Sequence, residues 1–159
     1  HASPRCVQHH TLLVVFPRRP MAECAAGLIA LSGGREGDIG QALLDSAVEI
    51  LGVRPLDTHC ISARNDEDPD FILEQALEVT KELDTGDGVL VLTDLFGSTP
   101  SNISCRMQQF HNARVIAGIN LPMLVRVLNY PQLHLEELTH KAISGGKDGV
   151  LICKGRLKR

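Results

Sequence analysis

The stretch Gly88–Asn102, GVLVLTDLFGSTPSN, constrains this chain more than any other. Val89, Leu90, Val91 and Leu92 are apolar without alternation, the pattern of a parallel strand covered on both faces; a half-exposed strand would alternate. Asp94 falls where that strand leaves the sheet, and Gly97-Ser98-Thr99-Pro100 turns the chain into a helix. Thr99 is the expected N-cap and Pro100 the first helical residue. A helix N-terminus at the carboxyl end of a parallel strand offers unpaired N–H groups and the positive end of a dipole, which suits phosphate. This segment alone also fits an ordinary strand-to-helix turn with a capping threonine.

The same alternation of strand and helix runs through the chain from Met21 onward. Gly27–Ser32, Leu56–Ser62, Gly88–Thr93 and Arg114–Gly118 read as strands. Asp38–Leu51 reads as an amphipathic helix with Ile39, Ala42, Leu43, Ala47, Ile50 and Leu51 inward. Asp68–Leu83, Pro100–Gln109, Leu121–Leu128 and Leu135–Ser144 read as further helices, with Gly145-Gly146 as a stop and Gly149–Cys153 as a last short strand. Strands separated by helices of this length imply crossovers and a parallel sheet. The expected fold is α/β, a three-layer arrangement of about four parallel strands and a short C-terminal antiparallel strand, with helices on both faces. Residues 1–20 show no period and read as a leader or appended extension, poorly ordered, with an edge strand over Leu12–Phe16 as the other option. Residues 21–159 then form a single domain.

Composition narrows the function classes. At 159 residues and 43% hydrophobic content the chain can bury one substantial core. A formal net charge of -3 leaves no excess of basic residues to hold nucleic acid by counterion release. The five cysteines include no CxxC pair, so no zinc site and no disulfide framework is expected, and the thiols read as reduced. No apolar run approaches membrane-spanning length, and Leu12–Phe16 is too short for a signal-peptide core, so a cytoplasmic protein without direct membrane insertion is expected.

Ligands of open parallel sheets bind at the carboxyl ends of the strands. The loops there are Ser32–Gly37 (SGGREG), Ala63–Asp68, Asp94–Thr99 and Gly118–Leu121, two of them glycine-rich. DGVLVLTDLFGSTPSN, VIAGINLPMLVRVL and LEELTHKAISGGKDGV together resemble the enzyme IIA domain of the mannose family of the bacterial phosphoenolpyruvate-dependent sugar phosphotransferase system. The likeness extends from about Gly27 to Cys153. It implies a parallel sheet with a final antiparallel strand, exchanged between the two copies of a homodimer. It also implies a phosphoryl carrier, in which a histidine after the first strand takes phosphate from HPr and passes it to a IIB domain. No cofactor and no metal ion is expected. On this resemblance Asp94 matches the aspartate that orients the histidine, and Thr99 the hydroxyl residue near the phosphoryl group. Gly97 and Ser98 line the same turn, and the Asn120-Leu121-Pro122-Met123 segment matches a loop of the crevice wall. Taken by itself, that segment is a turn and helix start with Pro122 at the first helical position.

The chain departs from the family at the acceptor position. Aligned from the helix side, Glu36 stands where the histidine belongs, followed by Gly37; aligned from the strand side, the Thr-His-Gly motif falls on Ser32-Gly33-Gly34. Neither register supplies an imidazole. A carboxylate can accept a phosphoryl group as an acyl phosphate, although nothing here resembles the metal site of aspartyl-phosphate enzymes. Two carboxylates about 4 Å apart repel by roughly 1–4 kcal/mol in partly solvated surroundings. Glu36 beside Asp94 is therefore expected to point to solvent or to bind a proton, and a solvated loop glutamate fits it as well. His59 is expected within a strand, His111 at the opposite end of the sheet, His134 in a loop and His140 in a surface pair with Glu136. Two other readings stay open: a catalytically silent relative that docks a partner and regulates by occupancy, and an unrelated flavodoxin-like binder of anions or nucleotides.

Overall fold

The structure, a computed structural model, describes residues 9–17, 27–31, 39–64, 67–84 and 86–153. In chain order the elements are β1 (His9–Pro17), β2 (Gly27–Leu31), α1 (Ile39–Leu51), β3 (Leu56–Arg64), α2 (Pro69–Leu83), β4 (Val89–Thr93), α3 (Thr99–Met107), β5 (Ala113–Ala117), α4 (Leu121–Leu128) and α5 (Leu135–Asp148). The sheet has the order β1-β3-β2-β4-β5. β2 pairs parallel with both β3 and β4, and β4 pairs parallel with β5. β1 lies antiparallel along β3, from His9 opposite Arg64 to Pro17 opposite Leu56, so residues 9–17 of the expected leader carry a strand.

β4 is apolar throughout because it is buried throughout, Val89 to Thr93. Successive residues of a strand point to opposite faces. Leu90 and Leu92 join a cluster with Leu44 and Ala47 of α1, Leu124 and Val127 of α4 and Leu138 of α5. Val89 and Val91 join a second cluster with Ile72 and Ala76 of α2 and Ile103 and Met107 of α3. Each face needs its own apolar residues, which is why alternation is absent.

Four local expectations are corrected. On α1 the core line is Gly40, Leu44 and Ala47, while Ile39 and Ile50, expected inward, are 47% and 61% exposed, and Ala42 is exposed as well. Apolar residues occupy more than one stripe of this helix, and packing against α4 selects among them. At the start of α3 the cap is Ser98, and Thr99 is already helical. At the other end of the chain α5 runs through Gly145-Gly146 to Asp148 where a stop is expected. A Cβ on Gly145 would lie 2.5 Å from Cβ of Arg126, and one on Gly146 would lie 2.7 Å from Cε of Met123. The helix tolerates these residues because they let it lie directly against α4.

The fourth correction concerns the last strand. Gly149 closes α5 with its N–H directed to the carbonyls of Gly145 and Lys147, and Val150 to Cys153 are irregular. Val150, Leu151 and Ile152 are 78%, 79% and 90% exposed. A strand needs a neighbouring edge to pair its N–H and C=O groups, and within the described chain this segment is not laid against one. Among the described residues no helix is long and apolar enough to cross a membrane.

Candidate functional site

The register sets Leu31 beside Thr93 and Thr93 beside Ala117, so β2, β4 and β5 end side by side. Asp94 follows directly, half-buried, at the point where β4 leaves the sheet. Its carboxylate accepts the Leu95 N–H at 2.7 Å and the Thr93 hydroxyl at 3.5 Å. The loop after β5 is bonded to the same corner. Gly118 N–H donates to the carbonyls of Thr93 at 2.8 Å and Asp94 at 3.0 Å, and Ile119 N–H donates to Thr93 at 3.0 Å.

The turn between β4 and α3 is held by its own hydroxyls. Gly97 takes a φ of 82°, the left-handed region that glycine enters without penalty. Ser98 Oγ donates to the Leu95 carbonyl at 2.7 Å and accepts the Ser101 N–H at 3.4 Å. The Ser98 N–H is itself committed to the Leu95 carbonyl at 3.2 Å. Pro100 has no N–H to offer. Of the donors expected to face an anion, Ser98 is therefore engaged within the turn, and the Thr99 N–H is the one left without an acceptor among the described residues. Leu95 and Phe96, 65% and 82% exposed, stand on this turn beside Asp94 as an apolar rim. The sequence signal for them is two large apolar residues placed in a loop.

Asn120 closes the site on the β5 side. Its Oδ1 accepts the Met123 N–H at 3.0 Å and caps α4, and its Nδ2 donates to the Gly146 carbonyl of α5 at 3.3 Å. Pro122 is the second residue of α4, one place after the first helical position expected of it, because Asn120 caps the helix and Leu121 opens it. Behind this loop is a hollow of about 340 Å³ lined by Ile116, Gly118, Asn120, Met123, Ile143 and Val150, among others. Gly146 also lines it, a residue that sequence reasoning assigns to a helix stop and not to the wall of the site.

The structure thus brings together Asp94, Gly97, Ser98, Thr99, Asn120 and Pro122 at one end of the sheet. Gly33, Gly34, Glu36 and Gly37 lie outside the described residues. None of the described histidines from His59 onward joins Asp94. His59 is exposed at mid-strand in β3, and His111 precedes β5 at the opposite end. His134 borders a polar hollow with Asp87, Asn112 and Arg114. His140 lies 3.7 Å from Glu136 on the surface of α5. Among the described residues Cys60, Cys105 and Cys153 are not joined in a disulfide. Among the described residues no group of three acidic, histidine or cysteine side chains is placed to hold a metal ion.

Two solved structures share the fold. The mannose/sorbose specific IIA subunit of the phosphotransferase system from Enterococcus faecalis has a TM-score of 0.64 at 21% identity, covering 76% of this chain and 91% of that one. The phosphotransferase system component EIIA from Streptococcus agalactiae has a TM-score of 0.57 at 23% identity, covering 73% and 90%. The mannose-specific EIIAB component of the phosphotransferase system from Escherichia coli is 31% identical over 131 residues, which is 80% of this chain and 40% of that protein. The counterpart from Shigella flexneri gives the same values. The chain therefore spans about two fifths of the length of these curated relatives. The family model for the IIA component of the phosphotransferase system, EIIA-man, described as the fructose IIA component, matches residues 36–143. These matches set aside the unrelated flavodoxin-like binder, and the chain belongs to the EIIA-man family of phosphotransferase-system IIA components.

Proposed function

We propose that this chain is the IIA phosphoryl carrier of a mannose-family sugar phosphotransferase system, docking HPr and then a IIB component at the carboxyl end of its sheet in the cytoplasm. The observation that carries the reading is the joined corner, in which the exits of β2 and β4 lie side by side and the β5 loop is hydrogen-bonded to Asp94 and its neighbour. In this reading the acceptor comes from the sequence that follows β2. The acceptor is Glu36. Its carboxylate oxygen attacks phosphorus, the P–N bond of phosphohistidyl HPr breaks, and the leaving imidazole nitrogen takes up a proton, leaving an acyl phosphate that IIB removes. Asp94, Thr99 and the crevice residues Gly33, Gly34, Gly37, Asn120 and Pro122 shape that pocket.

The chain acts as a homodimer in this reading. Among the described residues the edge strand β5 has a neighbour only on its β4 side, and residues 150–152 present three exposed apolar side chains. A second copy laying this segment antiparallel on β5 would complete the three-layer IIA sheet and cover both. A docking domain without transfer is the second reading, favoured by the missing imidazole at the acceptor position.

The deciding experiment is incubation with phosphoenolpyruvate, enzyme I and HPr, followed by intact mass and by calorimetry against HPr. A phosphoryl adduct cleaved by hydroxylamine and lost in Glu36→Gln supports the carrier. HPr binding with no adduct establishes the docking domain, and neither binding nor adduct refutes both readings.

A further inference from the structure

The carbonyls of a helix's last turn have no partner within the helix. At the end of α5 the Gly149 N–H takes the Gly145 carbonyl and the Val150 N–H takes that of Lys147 at 3.3 Å, so neither satisfies Gly146. The donor that does is Nδ2 of Asn120, at 3.3 Å, while the same side chain accepts from Met123 to cap α4. One amide thus closes two helix ends. Two residues earlier, Gly118 is bonded to the Thr93 and Asp94 carbonyls. Four residues after Gly146, Val150 borders the hollow that Gly118, Asn120 and Met123 also line. Hydrogen bonds joined by short stretches of chain therefore lead from the corner at Asp94 to the point where the exposed segment 150–153 departs.

We propose that Asn120 is a positioning residue that couples this C-terminal segment to the crevice loop beside Asp94, so that engagement of the segment by a second copy of this chain sets the geometry of the site. The consequence for a second copy rests on the dimer reading above; the coupling within one chain does not.

Asn120→Ser separates the two roles of the amide, because serine is an equally good N-cap but is too short and lacks the second donor needed to reach Gly146. Amide hydrogen exchange on the full chain reads the result residue by residue. In Asn120→Ser the Gly118 and Ile119 amides should exchange roughly three- to tenfold faster, the range that one hydrogen bond supplies. Amides of Val125 to Leu128 in α4 should change less than about twofold, because the cap is retained. Val150→Asp, which sets a carboxylate at the edge of the hollow that Gly118 and Asn120 line, should accelerate Gly118 and Ile119 in the unsubstituted background and add little in Asn120→Ser, as non-additivity of coupled sites requires. Equal acceleration of α4 would reduce Asn120 to a helix cap and overturn the proposal. Full additivity of the two substitutions, or no effect of Val150→Asp on the loop, would overturn it too. A chain that takes no phosphate and binds no HPr would remove the carrier reading while leaving the exchange result standing.

Discussion

Gly145 and Gly146 are adjacent, buried and helical, yet alanine should act on them in opposite directions. Alanine is favoured over glycine in a helix interior by about 0.8–1.0 kcal/mol, so propensity alone would stabilise both variants equally. Their neighbours differ. The new methyl of Gly145→Ala would meet Cβ of Arg126 at 2.5 Å and the Pro122 carbonyl at 3.1 Å. Both atoms are fixed to the backbone of α4, and the helices must move apart. Overpacking of that kind costs about 1–3 kcal/mol, and the severity of the overlap places it near the upper end. Gly145→Ala should therefore destabilise by about 1–2 kcal/mol after the propensity gain is subtracted. In Gly146→Ala the 2.7 Å contact is with Cε of Met123, the free end of a flexible side chain. That methyl can rotate away at little cost, so the variant should be neutral or up to about 1 kcal/mol more stable. Urea unfolding at fixed protein concentration gives both values, provided the m-value is unchanged. A Gly145→Ala protein as stable as its Gly146→Ala counterpart would refute the close approach of α4 and α5.

Ser98→Ala should cost about 1 kcal/mol through loss of the α3 cap, and Thr99→Ala less than about 0.5 kcal/mol; the reverse order in thermal unfolding would return the cap to Thr99. Leu124, completely buried beneath β4, should cost about 2–5 kcal/mol when replaced by alanine, and a loss below 1 kcal/mol in denaturant would place it outside the core. Ile152→Asp, at a side chain 90% exposed in the single chain, should leave its unfolding free energy within about 0.5 kcal/mol at high dilution. The same variant should abolish self-association in light scattering, and a variant that still dimerises would show that this segment is not the contact.

How far the sequence could be read depended on whether the deciding contact was local. β4 is legible because a strand buried on both faces has only one composition available to it, and Asp94 is legible as the residue that ends it. Asn120 is legible as part of a turn and helix start, and its bond to the Met123 N–H reaches only three residues along the chain. Its second bond, to Gly146, spans 26 residues, and no propensity or spacing rule reaches that far. Gly145-Gly146 fails for the same reason: glycine is a poor helix former when judged alone, and only the surface of α4 pressed against it makes it the residue that fits. α1 shows a different limit, because Ile39, Leu43, Leu44, Val48 and Ile50 offer more than one apolar stripe, and the position of α4 decides between them. For the C-terminal segment no pairing edge is found within the described chain. Its apolar run suggests a strand, but a strand forms only where another edge accepts its backbone, which in the proposed dimer is the β5 edge of a second copy.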